Sequence, residues 1–321
     1  MVRQNMMAVS TRNLIEPLIV DVGARLEDAI GNTPLVPLRR IVPRSGPRVL
    51  VKLEGQNPGG SVKARAAAAI IRAGERDGRL GTGRTLLDAS SGNTGIAYAM
   101  LCAERGYACE ICLPAGASEE RKKLLRAYGA RLVITPAEDG SDGAIREARR
   151  RAAANPERYF YADQYNNPAN ARAHYEGTGV EIWRDTRGRV THFIAGLGTT
   201  GTFVGTGKRL RAYDPRIELI AVQPDSAFHG IEGMKHIPSA IVPGLWDPAL
   251  PDRVIEIETE QAQAMARRLA RQEGLLTGVS GGAAVAATLL VAESLSDDAV
   301  LVTVLPDSGE RYLSEPWLSA E

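Results

Sequence analysis

The sequence has little of several features that define common classes of protein. Three cysteines in 321 residues are too few for a disulfide framework. The 39 basic and 38 acidic residues leave a net charge of +1, which gives no indication of nucleic acid or an anionic membrane as a partner. Apolar runs are strand-length, far short of the roughly 20 residues that a membrane helix needs. The sequence therefore predicts a soluble globular protein.

The N-terminal region also lacks a recognisable targeting signal. Residues 1 to 24 carry no strong pattern and none of the charged, apolar and small-residue blocks that make a secretory signal. Together with the few cysteines, this favours the reducing cytoplasm as the location. We expect residues 1–47 to form an arm and strands that pack on the C-terminal domain.

Cys109 and Cys112 have the spacing of a redox or metal-binding pair. No second pair follows, and the segment around them is predicted to be a short strand. Free cysteines often pack as small apolar side chains. This favours a buried structural role, and we predict no metal site.

Lysine is scarce, whereas arginine is abundant. The lysines are Lys52, Lys63, Lys122, Lys123, Lys208 and Lys235. This scarcity narrows the set of amines that could form a covalent bond with a ligand.

From residue 48 onward, strand-like runs alternate with helical patterns. Strands are predicted near 48–54, 84–88, 108–113, 131–135, 158–161, 191–195, 217–223 and 299–304. Helices are predicted near 62–78, 94–105, 118–128, 140–154, 202–212, 259–273 and 282–293. Such alternation is typical of parallel sheets covered by helices on both faces. The length fits two domains, and the alternation breaks near residue 165. We predict two three-layer α/β domains with mostly parallel sheets, at 48–165 and 166–321.

Four glycine-rich loops follow predicted strands. In such folds ligand sites form at the carboxyl ends of strands, where loops meet the starts of helices. Each loop could be a plain tight turn or part of a site. They lie at 57–63, 88–95, 196–202 and 278–283.

The loop Gly196–Gly201 matches G-x-G-x-x-G directly after a strand. A dinucleotide site would place an acid at the end of the next strand, near Asp225. The alternative is a cup for a single phosphate, because Thr199, Thr200 and Thr202 offer hydroxyls beside the free backbone N–H groups of a helix start. The threonines favour the phosphate cup.

The loop Gly278–Gly282 matches the G-x-S-x-G of a hydrolase, with Ser280 at the nucleophile position. A hydrolase of that kind needs a histidine after the serine. The chain has four histidines, and all of them precede Ser280. The loop therefore needs another explanation.

The two remaining loops are rich in groups that bind ligands. Ser90–Gly95 offers hydroxyls, an amide and helix-start N–H groups, which favours binding of a carboxylate or phosphate. Lys63 follows Pro58–Ser61 at the start of a helix. A surface lysine is the simplest interpretation, but the field at a helix start disfavours an ammonium ion there and makes the amine a better nucleophile toward an aldehyde.

A lysine nucleophile, a phosphate cup and a carboxylate loop together describe a pyridoxal phosphate enzyme that acts on an amino acid. The sequence resembles the fold-type II family of such enzymes, which share a tryptophan synthase β-like fold, and most closely the cysteine synthases of B-isozyme type. The matching segments follow the family order over nearly the whole chain: Gly31–Val36, Asn57–Arg65, Ser91–Gly95, Gln164–Asn170, His174–Tyr175, Gly198–Thr202, Gly278–Gly282 and Gly309–Ser314.

The resemblance implies roles for individual residues. Lys63 would hold the cofactor as a Schiff base, Asn93 would bind its 3′ oxygen, and Ser280 would face the pyridine nitrogen. The phosphate would be held by Gly198, Thr199, Thr200, Gly201 and Thr202. The substrate would be held by Ser90, Ser91, Thr94, Gln164, Gly230 and Lys235.

The resemblance also implies a reaction. O-acetylserine or O-phosphoserine would lose its β-substituent, and sulfide, thiosulfate or a thiocarboxylate would add to the aminoacrylate to give L-cysteine. Ser280, unlike an aspartate, makes the ring a weaker electron sink, which suits elimination better than transamination. Relatives are homodimers, and a sulfur-carrier protein is a conceivable partner. Related 2,3-diaminopropionate or cystathionine synthesis, a nicotinamide-dependent oxidoreductase and a non-catalytic amino-acid-binding protein remain alternatives.

Four positions depart from the usual family pattern or vary within it. Ala64 stands where an acid is common, and Ser90 replaces a threonine. Lys235 and His236 lie where the B isozymes have basic residues. They predict either an anionic leaving group or nucleophile, or a solvated loop.

Overall fold

The computed structural model describes residues 25–43, 45–90 and 92–319. The predicted arm at 1–24 and the predicted substrate residue Ser91 lie outside the described residues.

Ten strands and ten α-helices form the described part of the chain. The strands are β1 (Leu35–Pro37), β2 (Arg48–Leu53), β3 (Thr85–Ala89), β4 (Ala108–Pro114), β5 (Arg131–Thr135), β6 (Tyr159–Tyr161), β7 (His192–Gly196), β8 (Glu218–Pro224), β9 (Arg253–Ile257) and β10 (Val300–Leu305). The helices are α1 (Lys63–Arg76), α2 (Asn93–Arg105), α3 (Glu119–Ala127), α4 (Gly140–Ala154), α5 (Pro168–Ala173), α6 (Gly179–Thr186), α7 (Gly201–Tyr213), α8 (Thr259–Arg268), α9 (Val279–Ala292) and α10 (Pro316–Ser319).

The strands form two sheets. The smaller has the order β5-β4-β3-β6 and is parallel throughout. The larger has the order β1-β2-β10-β7-β8-β9 and is parallel except for the pairing of β1 with β2. The predicted α/β class with mostly parallel sheets is confirmed.

Helices cover both faces of each sheet. Side chains alternate between the faces along a strand, and adjacent residues accordingly enter different cores. In β3, Leu86 packs with α1 and α2, whereas Leu87 packs with α4. In β7, Phe193 packs with α7, whereas Ile194 packs with α8 and α9. Each sheet is therefore the middle of three layers.

The start of the first half differs from the predicted division at residue 48. β2 pairs in parallel with β10, from Arg48 opposite Val300 to Leu53 opposite Leu305. Its buried Val49 and Val51 pack with residues of α9 and β10, so the strand completes the core of the larger sheet. The chain enters the smaller unit only with α1, which packs on α2.

Two regions were missed by the sequence patterns. β9 is an edge strand with mostly exposed residues, so it lacks the apolar run that marks the buried strands. Residues 168–186, where the predicted alternation broke off, are helical, with a π-helical turn between α5 and α6. Asn167 caps this helix through a bond from Ala169 N–H, and Pro168 occupies its first turn.

Cys109 and Cys112 are both buried in β4, as a packing role requires. A bond with Cys102 and burial raise the pKa of the Cys109 thiol, and burial raises the pKa of Cys112 to about 12. Across residues 25–43, 45–90 and 92–319, no group of three or more His, Cys, Asp and Glu side chains could hold a metal ion. In the same ranges no helix is long and apolar enough to cross a membrane.

Candidate active site

A cavity of about 200 Å³ lies between the two units, at the carboxyl ends of β3, β7 and β10. All four glycine-rich loops contribute to its lining. The predicted site residues in the lining are Lys63, Ser90, Asn93, Thr94, Gln164, Gly198, Thr199, Thr200, Thr202, Lys235 and Ser280. Four loops that lie far apart in the sequence therefore meet at one place.

A larger cleft, of about 890 Å³, is formed mainly by α1 and α5. Its lining contains exposed charged residues, such as the pair of Arg172 with Glu176, together with the buried pair of Arg65 and Glu181. It contains none of the predicted site residues. The smaller cavity is therefore the candidate site.

Lys63 is the first residue of α1 and is half-buried, with its accessible part facing the cavity. Burial lowers its pKa, and the negative charges of Asp307 and Glu54 offset part of this effect. No described carboxylate lies within ion-pair distance of Lys63. A larger fraction of its amine is thus neutral and nucleophilic than at an exposed lysine.

A buried ionic network fixes the start of α1. Arg65 Nε lies 2.7 Å from Glu54 Oε2, and Arg65 Nη1 lies 2.7 Å from Glu181 Oε1. Lys52 Nζ lies 2.7 Å from Glu181 Oε2. Although burial opposes it, Arg65 holds the pKa of Glu181 at about 2. The network ties α1, and with it Lys63, to β2 and α6. Ala64, which lies between Lys63 and Arg65 in the sequence, is fully buried.

The loop at 198–202 requires glycine at two positions. A Cβ atom at Gly198 would lie 2.4 Å from the carbonyl oxygen of Gly233, and one at Gly201 would lie 2.1 Å from Asn170 Oδ1. Between them, Thr200 has a left-handed backbone, with φ of +68°, at the N-cap of α7. This geometry aims the first backbone N–H groups of α7 into the loop.

The threonines of this loop differ in their partners. Thr199 Oγ1 accepts a bond from Asn170 Nδ2 (3.0 Å), and Thr202 Oγ1 lies 3.2 Å from His174 Nε2. Burial and the nearby positive charges hold the pKa of His174 well below its usual value, so the ring is neutral. The Thr200 hydroxyl is buried with no partner in the described protein. A buried unpartnered donor beside a helix start suits a bound anion.

The loop at 90–95 is held by bonds to neighbouring protein groups. Ser90 Oγ accepts a bond from Gly95 N–H (2.9 Å). Thr94 Oγ1 donates to Gln164 Oε1 (2.6 Å), and Gln164 Nε2 donates to the carbonyl oxygen of Ala89 (2.6 Å). The predicted substrate residues Ser90, Thr94 and Gln164 thus lie together. Gly230 does not line the cavity, and its N–H donates to Thr259 Oγ1.

Asp88, near the end of β3, supports the site from behind the cavity lining and was missed by the sequence patterns. Its carboxylate accepts bonds from the backbone N–H groups of Ala89 (2.8 Å) and Gln164 (3.1 Å). Burial raises its pKa to about 7, despite these two bonds. An acid within a mostly apolar and buried strand, two residues before the loop at 90–95, was the available signal.

Asp307, just after β10, was also missed. Its Oδ2 atom accepts bonds from Asn93 Nδ2 and Tyr312 Oη, each 2.7 Å long. Its Oδ1 atom is buried and has no partner in the described residues. Arg311 donates to Asn93 Oδ1. The Asn93 amide is therefore held on both sides, 214 residues from Asp307 in the sequence.

Lys235 is 6% exposed, so its side chain is buried rather than solvated as one of the two predictions for this loop would have it. Its Nζ atom lies 2.9 Å from Asp142 Oδ1 and 5.2 Å from the centre of the Tyr165 ring. His236 lies outside the cavity lining and is bonded to Ser239. Ser280 lies in the first turn of α9, is 8% exposed and lines the cavity.

Comparisons with known proteins assign the family. The model of the pyridoxal-phosphate dependent enzyme family matches residues 26–307. The chain is 48% identical over 296 residues to a cysteine synthase of Aquifex aeolicus, covering 90% of each protein. It is 44% identical over 291 residues to cysteine synthase B of Salmonella typhimurium, covering 90% of this chain and 94% of the relative. The chain belongs to the pyridoxal-phosphate-dependent enzymes.

A solved structure supports the same fold for this family member. The crystal structure of O-ureido-L-serine synthase superposes with a TM-score of 0.87 at 40% identity, over 92% of this chain and 95% of that one. The predicted resemblance and fold class are therefore confirmed, and the cofactor of the family is pyridoxal phosphate. Asp225, the acid that a nicotinamide site would need, is exposed and lies outside the cavity lining.

The cavity of this pyridoxal-phosphate-dependent enzyme fits its cofactor. The unpartnered Thr200 hydroxyl and the start of α7 match a phosphate, and Lys63 offers an amine of lowered pKa for the aldehyde. Ser280 also lines the cavity, where it provides a neutral hydroxyl rather than a carboxylate.

Proposed function

We propose that this protein is a cysteine synthase, which replaces the β-substituent of an O-activated L-serine with a sulfur nucleophile. The observation that carries the proposal is the meeting of Lys63, the loop at 198–202 and the loop at 90–95 around one cavity. The similarity to two proteins named cysteine synthase supports the same reaction.

The residues of the cavity have separate roles in the proposed reaction. Bound pyridoxal phosphate supplies an electron sink for the electron pair left at Cα. Lys63, whose lowered pKa favours the neutral amine, accepts the Cα proton and later returns it. Ser90, Thr94 and Gln164 bind the substrate carboxylate, and Asn93 and Ser280 orient the cofactor ring. Because Ser280 is a hydroxyl, the ring nitrogen gains no full counter-charge, which favours elimination over transamination.

The loop at 90–95 closes over the substrate in this proposal. Closure of residues 90–130 would exclude water from the reacting atoms. A homodimer, a cytoplasmic location and a sulfur-carrier protein as donor stay predictions from the family resemblance.

The test is a product assay. The purified holoenzyme, supplied with O-acetylserine and sulfide, should form L-cysteine, and Lys63→Ala should lower the rate by about 10³-fold or more. Lys208→Ala, which changes an exposed lysine paired with Asp247, is the matched control and should keep the rate. Absence of cysteine from the unmodified holoenzyme, with either O-acetylserine or O-phosphoserine, would contradict the proposal.

A second candidate is O-ureido-L-serine synthesis, which the similarity to that synthase favours. The same assay with hydroxyurea in place of sulfide distinguishes the two products by mass. A higher kcat/KM with hydroxyurea than with sulfide would favour the second candidate.

A further inference from the structure

An ion pair between Arg121 and Glu232 joins the two units at the cavity. Arg121 on α3 and Glu232 in the loop after β8 form two parallel contacts, Nη1 with Oε1 and Nη2 with Oε2, the second 2.6 Å long. Both residues line the cavity. They are 111 residues apart in the sequence, so the pair joins a helix of the smaller unit to a loop of the larger one.

Arg121 is placed where a substrate would meet it. Its side chain is 6% exposed, and its guanidinium lies 5.3 Å from the centre of the Tyr312 ring. Its Nε atom has no partner among the described residues. This atom lies 3.7 Å from the position that a Cβ atom would take at Gly92, in the substrate-carboxylate loop. Burial opposes the charge, but Glu232 raises the pKa of Arg121, so the guanidinium stays charged.

The other basic side chains at or near the cavity also have bonding partners within the protein. Lys235 Nζ is paired with Asp142 Oδ1 at 2.9 Å. Arg311 donates to Asn93 Oδ1 and to the carbonyl oxygen of Gly59. Burial and the nearby charges of His236 and Lys235 lower the pKa of His229, which keeps that ring neutral. Arg311 lies outside the cavity lining, and its two bonds are to neutral oxygens. Of the described lysine and arginine side chains in the lining, only Lys63 has no carboxylate partner, and its amine is required for the cofactor.

This charge balance bears on the leaving group. A phosphate on the substrate side chain would need to displace the Glu232 carboxylate from Arg121 or lie beside it as a like charge. An uncharged ester, such as O-acetyl, meets neither obstacle. The negative charge of the Glu232 carboxylate and the positive charge of the Arg121 guanidinium neutralise each other in the cavity lining.

We propose that Glu232 is a specificity-determining residue, which occupies Arg121 and so makes the cavity select O-activated serines with an uncharged leaving group over O-phosphoserine. The proposal rests on the proposed function and names its substrate class. It also assigns Arg121 as a latent anion site that the loss of one carboxylate exposes.

The experiment compares two serine esters on the holoenzyme. For O-acetylserine and O-phosphoserine, kcat/KM is measured with sulfide, and the dissociation constant is measured from the change in the absorption spectrum of the cofactor. Glu232→Gln should raise the ratio of kcat/KM for O-phosphoserine to that for O-acetylserine about tenfold or more, and should tighten O-phosphoserine binding by a similar factor.

Three further variants make the result specific. Glu232→Asp keeps the charge and should keep the preference of the unmodified enzyme. Arg121→Gln added to Glu232→Gln should remove the gain, since the freed guanidinium is its source. Glu119→Gln removes an exposed acid of the same helix, paired only with Lys122 nearby, and should leave the ratio unchanged.

The outcomes separate the two proposals. If the unmodified enzyme makes cysteine from O-acetylserine but Glu232→Gln leaves the ratio unchanged, the role of Glu232 is wrong and the function stands. A preference of the unmodified enzyme for O-phosphoserine would likewise show that the role of Glu232 is wrong while the function stands. If neither ester yields cysteine while Glu232→Gln still gains affinity for O-phosphoserine, the function is wrong and the role of Glu232 stands. Glu232→Ala repeats the comparison if the glutamine variant does not fold.

Discussion

The phosphate loop at 198–202 and the substrate loop at 90–95 face the same cavity but differ in how their polar groups are satisfied. In the phosphate loop, Thr200 keeps a buried hydroxyl without a partner among the described residues, and two glycines are fixed by close contacts. In the substrate loop, Ser90 and Thr94 already bond to protein groups. This difference fits the roles proposed for the two loops. The first is preorganised, as a site for a permanently bound cofactor requires, and the second would have to exchange its own bonds for those of a substrate.

The largest expected change in ligand binding comes from a substitution that disrupts the preorganised loop. Gly198→Ala places a Cβ atom 2.4 Å from the backbone oxygen of Gly233, which cannot move aside as a flexible side chain could. The cofactor dissociation constant should rise about 100-fold, measured by equilibrium dialysis. Gly116→Ala is the control, because its Cβ atom would have no neighbour closer than 3.9 Å. Equal affinities for the two variants would refute the rigidity of the loop.

A different kind of effect is expected from Asp88, which supports the substrate loop. Its pKa of about 7 lies above the usual carboxyl value, so the folded state binds its proton more tightly than the unfolded state does. The free energy of unfolding should therefore fall as pH rises from about 4 to 7, by on the order of 4 kcal/mol from this group. Asp88→Asn should remove that component from urea unfolding measured at several pH values. A pH profile identical to that of the unmodified protein would show that Asp88 does not titrate there.

Thr94→Val tests whether the substrate loop acts on substrate alone. The change removes the bond to Gln164 and, in the proposed site, one donor for the substrate carboxylate. The KM for O-acetylserine should rise about tenfold, with the cofactor dissociation constant unchanged. Steady-state kinetics and equilibrium dialysis measure the two quantities. Weaker cofactor binding of similar size would mean that the two loops are not separate in function.

The smallest effect has opposite signs with and without the cofactor. Thr200→Val removes a buried hydroxyl that has no partner in the part of the protein that the structure describes, so the cofactor-free protein should become more stable by about 1 kcal/mol. The holoenzyme should lose about the same amount, because the phosphate loses a donor. Thermal unfolding of both forms measures the change. A variant that is less stable in both forms would show that the hydroxyl has a partner within the protein.

The sequence carried the local features of the site but not its long-range pairs. Lys63, Ser280 and the loop glycines were recognisable because each follows a strand and opens a helix. Arg121 and Glu232 were not, because their meaning lies in a contact across 111 residues. Asp307 was missed for the same reason. Likewise, the alternation predicted the strands well, but only pairing with β10 shows that β2 belongs to the larger sheet.

The central claim is that Lys63 holds pyridoxal phosphate covalently. The most direct measurement is borohydride reduction of the purified protein, followed by proteolysis and mass spectrometry of the peptides. The reduced cofactor should be attached to Lys63, and the yellow absorption of the protein should disappear on reduction. Attachment to another lysine, such as Lys52 or Lys235, or a colourless protein that gains no mass, would contradict the account.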